Sequence, residues 1–139
     1  MCVVQCLSPA GEYNLRLGIL KELAPEYVAT ACQPVEVFEG HPFVVEAAVA
    51  VGGCKAKPGI NCYRYANRIP LLFEGGNDVV SVVANTRIRW ANYKLNARTD
   101  KICVFVSLVS TKIPFKGTSK GQCMQPTIAW VSGSLVSDC

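Results

Sequence analysis

Apolar residues recur at four-residue spacing early in the chain and at two-residue spacing beyond it. Leu15, Ile19 and Leu23 fall on one side of a helix, with Leu20 beside them and Arg16, Lys21 and Glu22 away from the stripe. Ser8 and Pro9 supply a start, because serine caps free amides and proline is tolerated in a first turn. Pro25 stops the helix. Residues 34–39 alternate apolar and polar and predict a strand, which Gly40-His41-Pro42 breaks. Residues 43–51 predict a longer strand. Phe43, Val45, Ala47, Val49 and Val51 face one way; Val44, Glu46, Ala48 and Ala50 face the other. Most of the second set is also apolar, so this strand is expected to be covered on both faces, with Glu46 buried and paired. Gly52-Gly53 and Lys57-Pro58-Gly59 mark a loop short enough to predict antiparallel pairing with the next strand, residues 60–67.

Residues 79–83 predict a helix that Asn77 or Asp78 caps; its four valines make it a weak one. Trp90 and Tyr93 are expected to pack beneath it, and residues 96–100 form a polar loop. Residues 101–109 are the strongest strand-like run, and they lead into Ser110-Thr111-Lys112 and then Ile113-Pro114-Phe115. A flexible cation is thus held at the tip of a strand, with Pro114 limiting the backbone beyond it. Such a lysine can reach a phosphate on a neighbouring domain as a compact point charge. The same pattern fits an ordinary solvated lysine in a strand-to-loop turn, the commoner state of a charged side chain. After Lys116 no periodicity is present. The order helix, three strands, helix, strand predicts an α+β domain, with a mixed or antiparallel sheet and helices packed on one face.

Composition narrows the class. The chain has 139 residues, half of them hydrophobic (50%) and only 17% charged, which fits a globular domain with a real core and excludes disorder. The net charge of +4 permits contact with nucleic acid or nucleotide without demanding it. Cysteines at 2, 6, 32, 54, 62, 103, 123 and 139 form no Cys-x-x-Cys pair, and His41 is the single histidine, so zinc-finger spacing is not matched. The first residues lack a basic start and a long apolar stretch, so the cysteines read as reduced thiols of an intracellular protein. Glu46 interrupts one apolar run and residues 102–109 are too few, so no transmembrane helix is expected. His41, in a turn, reads as a structural residue rather than a catalytic one. Arg64 and Arg68 flank an aromatic strand; contact with phosphate or DNA is one role, a salt bridge at a sheet edge the simpler one.

Four segments carry a resemblance in order and spacing. They are Cys6-Leu7-Ser8-Pro9-Ala10-Gly11-Glu12, Phe38-Glu39-Gly40-His41-Pro42-Phe43-Val44-Val45-Glu46, Arg64-Tyr65-Ala66-Asn67-Arg68-Ile69-Pro70-Leu71-Leu72-Phe73 and Val109-Ser110-Thr111-Lys112-Ile113-Pro114-Phe115. Over about residues 6–120 they resemble the transducer domain of the DNA topoisomerase VI B subunit, in wording nearest the plant branch. The resemblance implies a transducer fold like the second domain of a ribosomal small-subunit protein. It divides the chain into a linker helix (1–25), a partial transducer (26–120) and a divergent tail (121–139). In that family an ATPase domain binds ATP with Mg2+ and dimerises, and the transducer connects it to the topoisomerase VI A subunit. The A subunit holds the cleavage tyrosine and the metal, so neither Tyr63 nor Tyr65 is a nucleophile. The assembly passes one DNA duplex through another, and a plant-like member implies the nucleus.

By the same resemblance Lys112 is the switch lysine that contacts the γ-phosphate of ATP, with Ser110 and Thr111 beside it; no catalytic or metal-binding residue is implied. The chain departs from the family at both ends. An ATPase domain ahead of residue 1 is expected to be missing. The tail does not resemble the long helix with which the family docks its DNA-cleaving partner, and Pro126 and Gly133 disfavour such a helix. Residues 81–86 drift as well. The expectation is a truncated transducer module without catalysis of its own. The alternatives are a non-functional gene fragment and a stand-alone nucleic-acid-binding α+β domain, which salt-dependent DNA binding would reveal.

Overall fold

The elements follow as α1 (Glu12–Leu23), β1 (Tyr27–Cys32), β2 (Glu36–Phe38), β3 (His41–Val51), β4 (Gly59–Ala66), β5 (Ile69–Pro70), α2 (Val79–Val82) and β6 (Lys101–Ser110). A computed structural model describes residues 7, 9–38, 40–67, 69–70 and 79–111. Ser8, Arg68, the Asn77 or Asp78 cap, Lys112 and the 121–139 tail lie outside those residues, but α1 starts only after Gly11, so the expected start at Ser8-Pro9 is not its start. Among the described residues the strands form one sheet in the order β1-β3-β6-β4-β5, with β2 also pairing β3.

Burial explains that order. β3 and β6 are the two most continuously apolar strands, are buried along nearly their whole length, and sit side by side in the middle as an antiparallel pair. Strands covered on both faces read as near-continuous apolar runs. β4 is only half-buried over most of its length. It does not pair with β3, although the short loop between them predicts an antiparallel pair. β6 takes the place beside β3, and β4 runs parallel to β6 on its far side. A parallel pair needs a crossover connection, and α2 lies in the one that joins β4 to β6.

The α+β class and the mixed sheet hold, but the helices do not share one face. Ile19 and Leu23 of α1 pack with Ala48, Ala50, Cys103 and Phe105. Val80 of α2 and the residues after it pack with Val45, Val49, Ile102, Val104 and Val106. Adjacent residues of β3 and β6 point to opposite faces, so one helix covers each side. The stripe of α1 is as expected at Ile19 and Leu23, with Leu15 partly buried beside them, whereas Leu20 is exposed. Ala24 ends the helix in the left-handed region ahead of Pro25.

The chain from α2 continues as a π-helical turn, Val83–Arg87. The Ile88 amide donates to the Val83 carbonyl (3.2 Å), one residue farther back than in an α-helix. The bypassed Ala84 carbonyl instead accepts a hydrogen bond from the buried Trp90 indole (2.8 Å). Trp90 and Tyr93 thus pack against this segment, as the sequence predicts.

Two further differences have local causes. His41 and Pro42 belong to β3 rather than breaking it, because the turn of the β2–β3 hairpin passes through Gly40 at φ +78°. β1 went unpredicted; its alanines, Ala29 and Ala31, carry little strand preference and gain their place by pairing with β3.

Where β3 ends, Gly53 has φ +107°, and a Cβ there would sit 2.5 Å from the Leu23 carbonyl oxygen at the end of α1. Gly53→Ala is therefore expected to cost at least about 2 kcal/mol, since the residue must leave the left-handed region and displace backbone. Urea denaturation checks this, and an unchanged midpoint would contradict it.

Candidate functional site

Three segments meet at one end of the sheet: the start of β3, the exit from β4 and the end of β6. Ser110 pairs with Phe43 across β3 and β6. The Ser110 hydroxyl donates to the Pro42 carbonyl (3.3 Å), and the Thr111 amide donates to the same oxygen (3.4 Å). From the other side the Asn67 amide donates to the Leu108 carbonyl (2.9 Å). The Ser110 amide donates in turn to the Asn67 side-chain oxygen (3.0 Å). Below this end, Phe43 and Val106 belong to the core on the α2 face, while Leu7, Val44 and Val109 form a small cluster on the other. The last residues of β6 are thus held from both neighbouring strands.

The sequence-predicted residues are distributed as follows. Ser110 is half-buried with its hydroxyl turned onto Pro42, so it holds the backbone. Thr111 is exposed, and Lys112 is the next residue in sequence. His41 is half-buried and opens β3 opposite Phe38. Arg64 is half-buried within β4, at the level of Val106. Tyr63 stacks on Phe105 with ring centroids 4.8 Å apart and planes 12° from parallel, and burial pushes its phenol pKa up. Tyr65 packs against the α1-side core. Among the described residues no three His, Cys, Asp or Glu side chains come together to hold a metal ion.

Among the described residues Cys32, Cys54 and Cys103 are free thiols. Burial pushes the Cys103 thiol up, with Cys62 adding to the shift. Cys32 has an exposed residue surface, yet partial burial of its thiol, then Glu46 and Glu12, push it up too. Alkylation at pH 8 is expected to modify exposed Cys54 ahead of Cys32, with Cys103 protected until unfolding. Peptide mass spectrometry over a time course checks the order; early labelling of Cys103 would contradict the burial.

Two residues escaped the sequence reading in their actual roles. Glu46 is fully buried on the α1 face, and its carboxylate accepts hydrogen bonds from the amides of Gly11 (2.6 Å) and Ala10 (3.2 Å). A carboxylate from the central strand thus supports the start of α1, where Gly11 has no side chain to do so. Its burial was legible, but amide partners leave no trace in the sequence. Asn67 reads as the last residue of a strand, yet it stands at φ +48°. The signal was its type, since asparagine tolerates the left-handed region.

The segments that meet at this end of the sheet are also among those by which the chain resembles known proteins. The family described as the topoisomerase VI B subunit transducer matches residues 3–129. The DNA topoisomerase 6 B subunit of Arabidopsis thaliana is 67% identical over 115 residues, which cover 83% of this chain and 17% of that protein. The protein of the same name from Oryza sativa subsp. indica is 65% identical over 115 residues, covering 83% and 16%. The type 2 DNA topoisomerase 6 B subunit of Thermococcus kodakarensis is 38% identical over 116 residues, covering 82% and 20%. The chain therefore spans a fifth or less of the length of these relatives. Since the matched region runs from before α1 to beyond β6 and takes in the whole described sheet, the chain belongs to the transducer family of the topoisomerase VI B subunit.

Proposed function

We propose that this chain works as the transducer of a topoisomerase VI B subunit, passing the state of a bound nucleotide on to the subunit that cleaves DNA. Lys112 carries the sensing: it contacts the terminal phosphate of ATP, which is held with Mg2+ in a separate ATP-binding domain. The observation behind this reading is the double grip on the end of β6, one residue before Thr111 and two before Lys112. A point charge on a rigid base is lost to the nucleotide when the γ-phosphate leaves, unless the whole sheet moves with it. Thr111 contributes an exposed hydroxyl beside the lysine, while Ser110 holds the backbone. The partners are then duplex DNA and the topoisomerase VI A subunit; the compartment is the nucleus. ATP supplies binding energy that differs before and after hydrolysis, and this chain converts the difference into a position of its sheet.

The test is a chimera in which the matching segment of this chain replaces that of the Arabidopsis thaliana protein, assembled with the DNA-cleaving partner from the same plant. The expected result is ATP-dependent relaxation of supercoiled plasmid. A chimera that folds and binds that partner yet relaxes no plasmid would overturn the proposal.

A further inference from the structure

β6 outlasts β4. β4 ends at Ala66, opposite Leu108, whereas β6 continues to Ser110. Asn67 turns away at φ +48° after its amide has met the Leu108 carbonyl. The Ser110 amide is then one rung past the last backbone acceptor that β4 can offer, and the Asn67 side-chain oxygen takes that place at 3.0 Å. Glycine could supply the backbone turn, but not the acceptor. On the opposite side Ser110 and Thr111 are held by the Pro42 carbonyl.

We infer that Asn67 is a positioning residue for the loop that begins at Ser110: its side chain extends the sheet by one rung and fixes the direction in which the chain leaves β6 toward Lys112. This rests on the reading of Lys112 given above. Without that rung the Ser110 amide loses its bond to the Asn67 side chain, and the lysine starts from a looser base. Because a charge-assisted contact depends on geometry, a wandering base weakens the phosphate contact without touching the nucleotide.

Two variants separate the roles. Asn67→Gly keeps the left-handed turn and removes the acceptor; Asn67→Asp keeps an acceptor oxygen at the same place. In the 139-residue chain, NMR amide exchange at Ser110 is expected to be about fivefold to tenfold faster in Asn67→Gly, the size of one net hydrogen bond, and close to wild type in Asn67→Asp. Val104 and Phe105 amides serve as unaffected references. In the chimera, Asn67→Gly is expected to slow ATP-dependent relaxation several-fold, with Asn67→Asp restoring it. Unchanged Ser110 exchange in Asn67→Gly overturns the inference, as does faster exchange with wild-type relaxation in a chimera that Lys112→Ala impairs. If Lys112→Ala itself leaves relaxation intact, the reading of Lys112 fails and takes the functional half of this inference with it; the exchange result still decides the structural half.

Discussion

Glu46→Ala is expected to lower the melting temperature of the chain by about 10 °C or more. Glu46 is fully buried in the central strand, and its two oxygens accept from the Gly11 and Ala10 amides at 2.6 and 3.2 Å. Hydrogen bonds to a charged group contribute about 1.5–3 kcal/mol each, and both half-buried amides would lose their acceptor. Truncation also leaves a void between β3 and the start of α1, so the total is about 3–5 kcal/mol. Against a whole-domain stability of about 5–15 kcal/mol this is a large share. Glu46→Gln keeps one acceptor oxygen and turns an amide donor toward the other N–H, so it should fall between wild type and alanine. A Glu46→Ala melt within a degree or two of wild type would contradict the view that this carboxylate ties the entry of α1 to the sheet.

Lys112→Ala carries the second large effect, on activity rather than stability. In the chimera, ATP-dependent relaxation is expected to fall about tenfold to a hundredfold, the equivalent of one charge-assisted contact to phosphate. The proposed contact of Lys112 is with the nucleotide rather than with the sheet, so the melt is expected to hardly move. Lys112→Arg keeps the charge but replaces a compact ammonium on a flexible stem with a planar fork, so partial recovery is expected. Wild-type relaxation in Lys112→Ala would remove the lysine from the coupling.

The sequence made the fold class readable because its strongest patterns are local. The stripe Ile19–Leu23 marks the buried side of α1, and the two apolar sets of residues 43–51 mark a strand covered twice. What it concealed is non-local. The short loop after Val51 indicated a hairpin, yet the neighbour of β4 is β6, in the distant register Ile60↔Ile102. A helix flanked by two strands was the available sign of a parallel crossover, and it also places a helix on the second face. β1 was hidden by alanines whose strand state is imposed by pairing, not by preference. At the candidate site the sequence shows the residue types at the end of β6, whereas the devices that hold Ser110 and Thr111 do not show in it. The Pro42 carbonyl has no sequence signature, and Asn67 shows its role only once φ and the Ser110 contact are known.

The proposed role of Lys112 is contact with the phosphate that ATP has and ADP lacks. Its most direct test is the affinity of the chimera for a non-hydrolysable ATP analogue and for ADP, each with Mg2+, in wild type and Lys112→Ala. The predicted result is a loss of about tenfold or more for the ATP analogue with ADP affinity unchanged, as one charge-assisted contact requires. Equal losses for both nucleotides, or none for either, would contradict it.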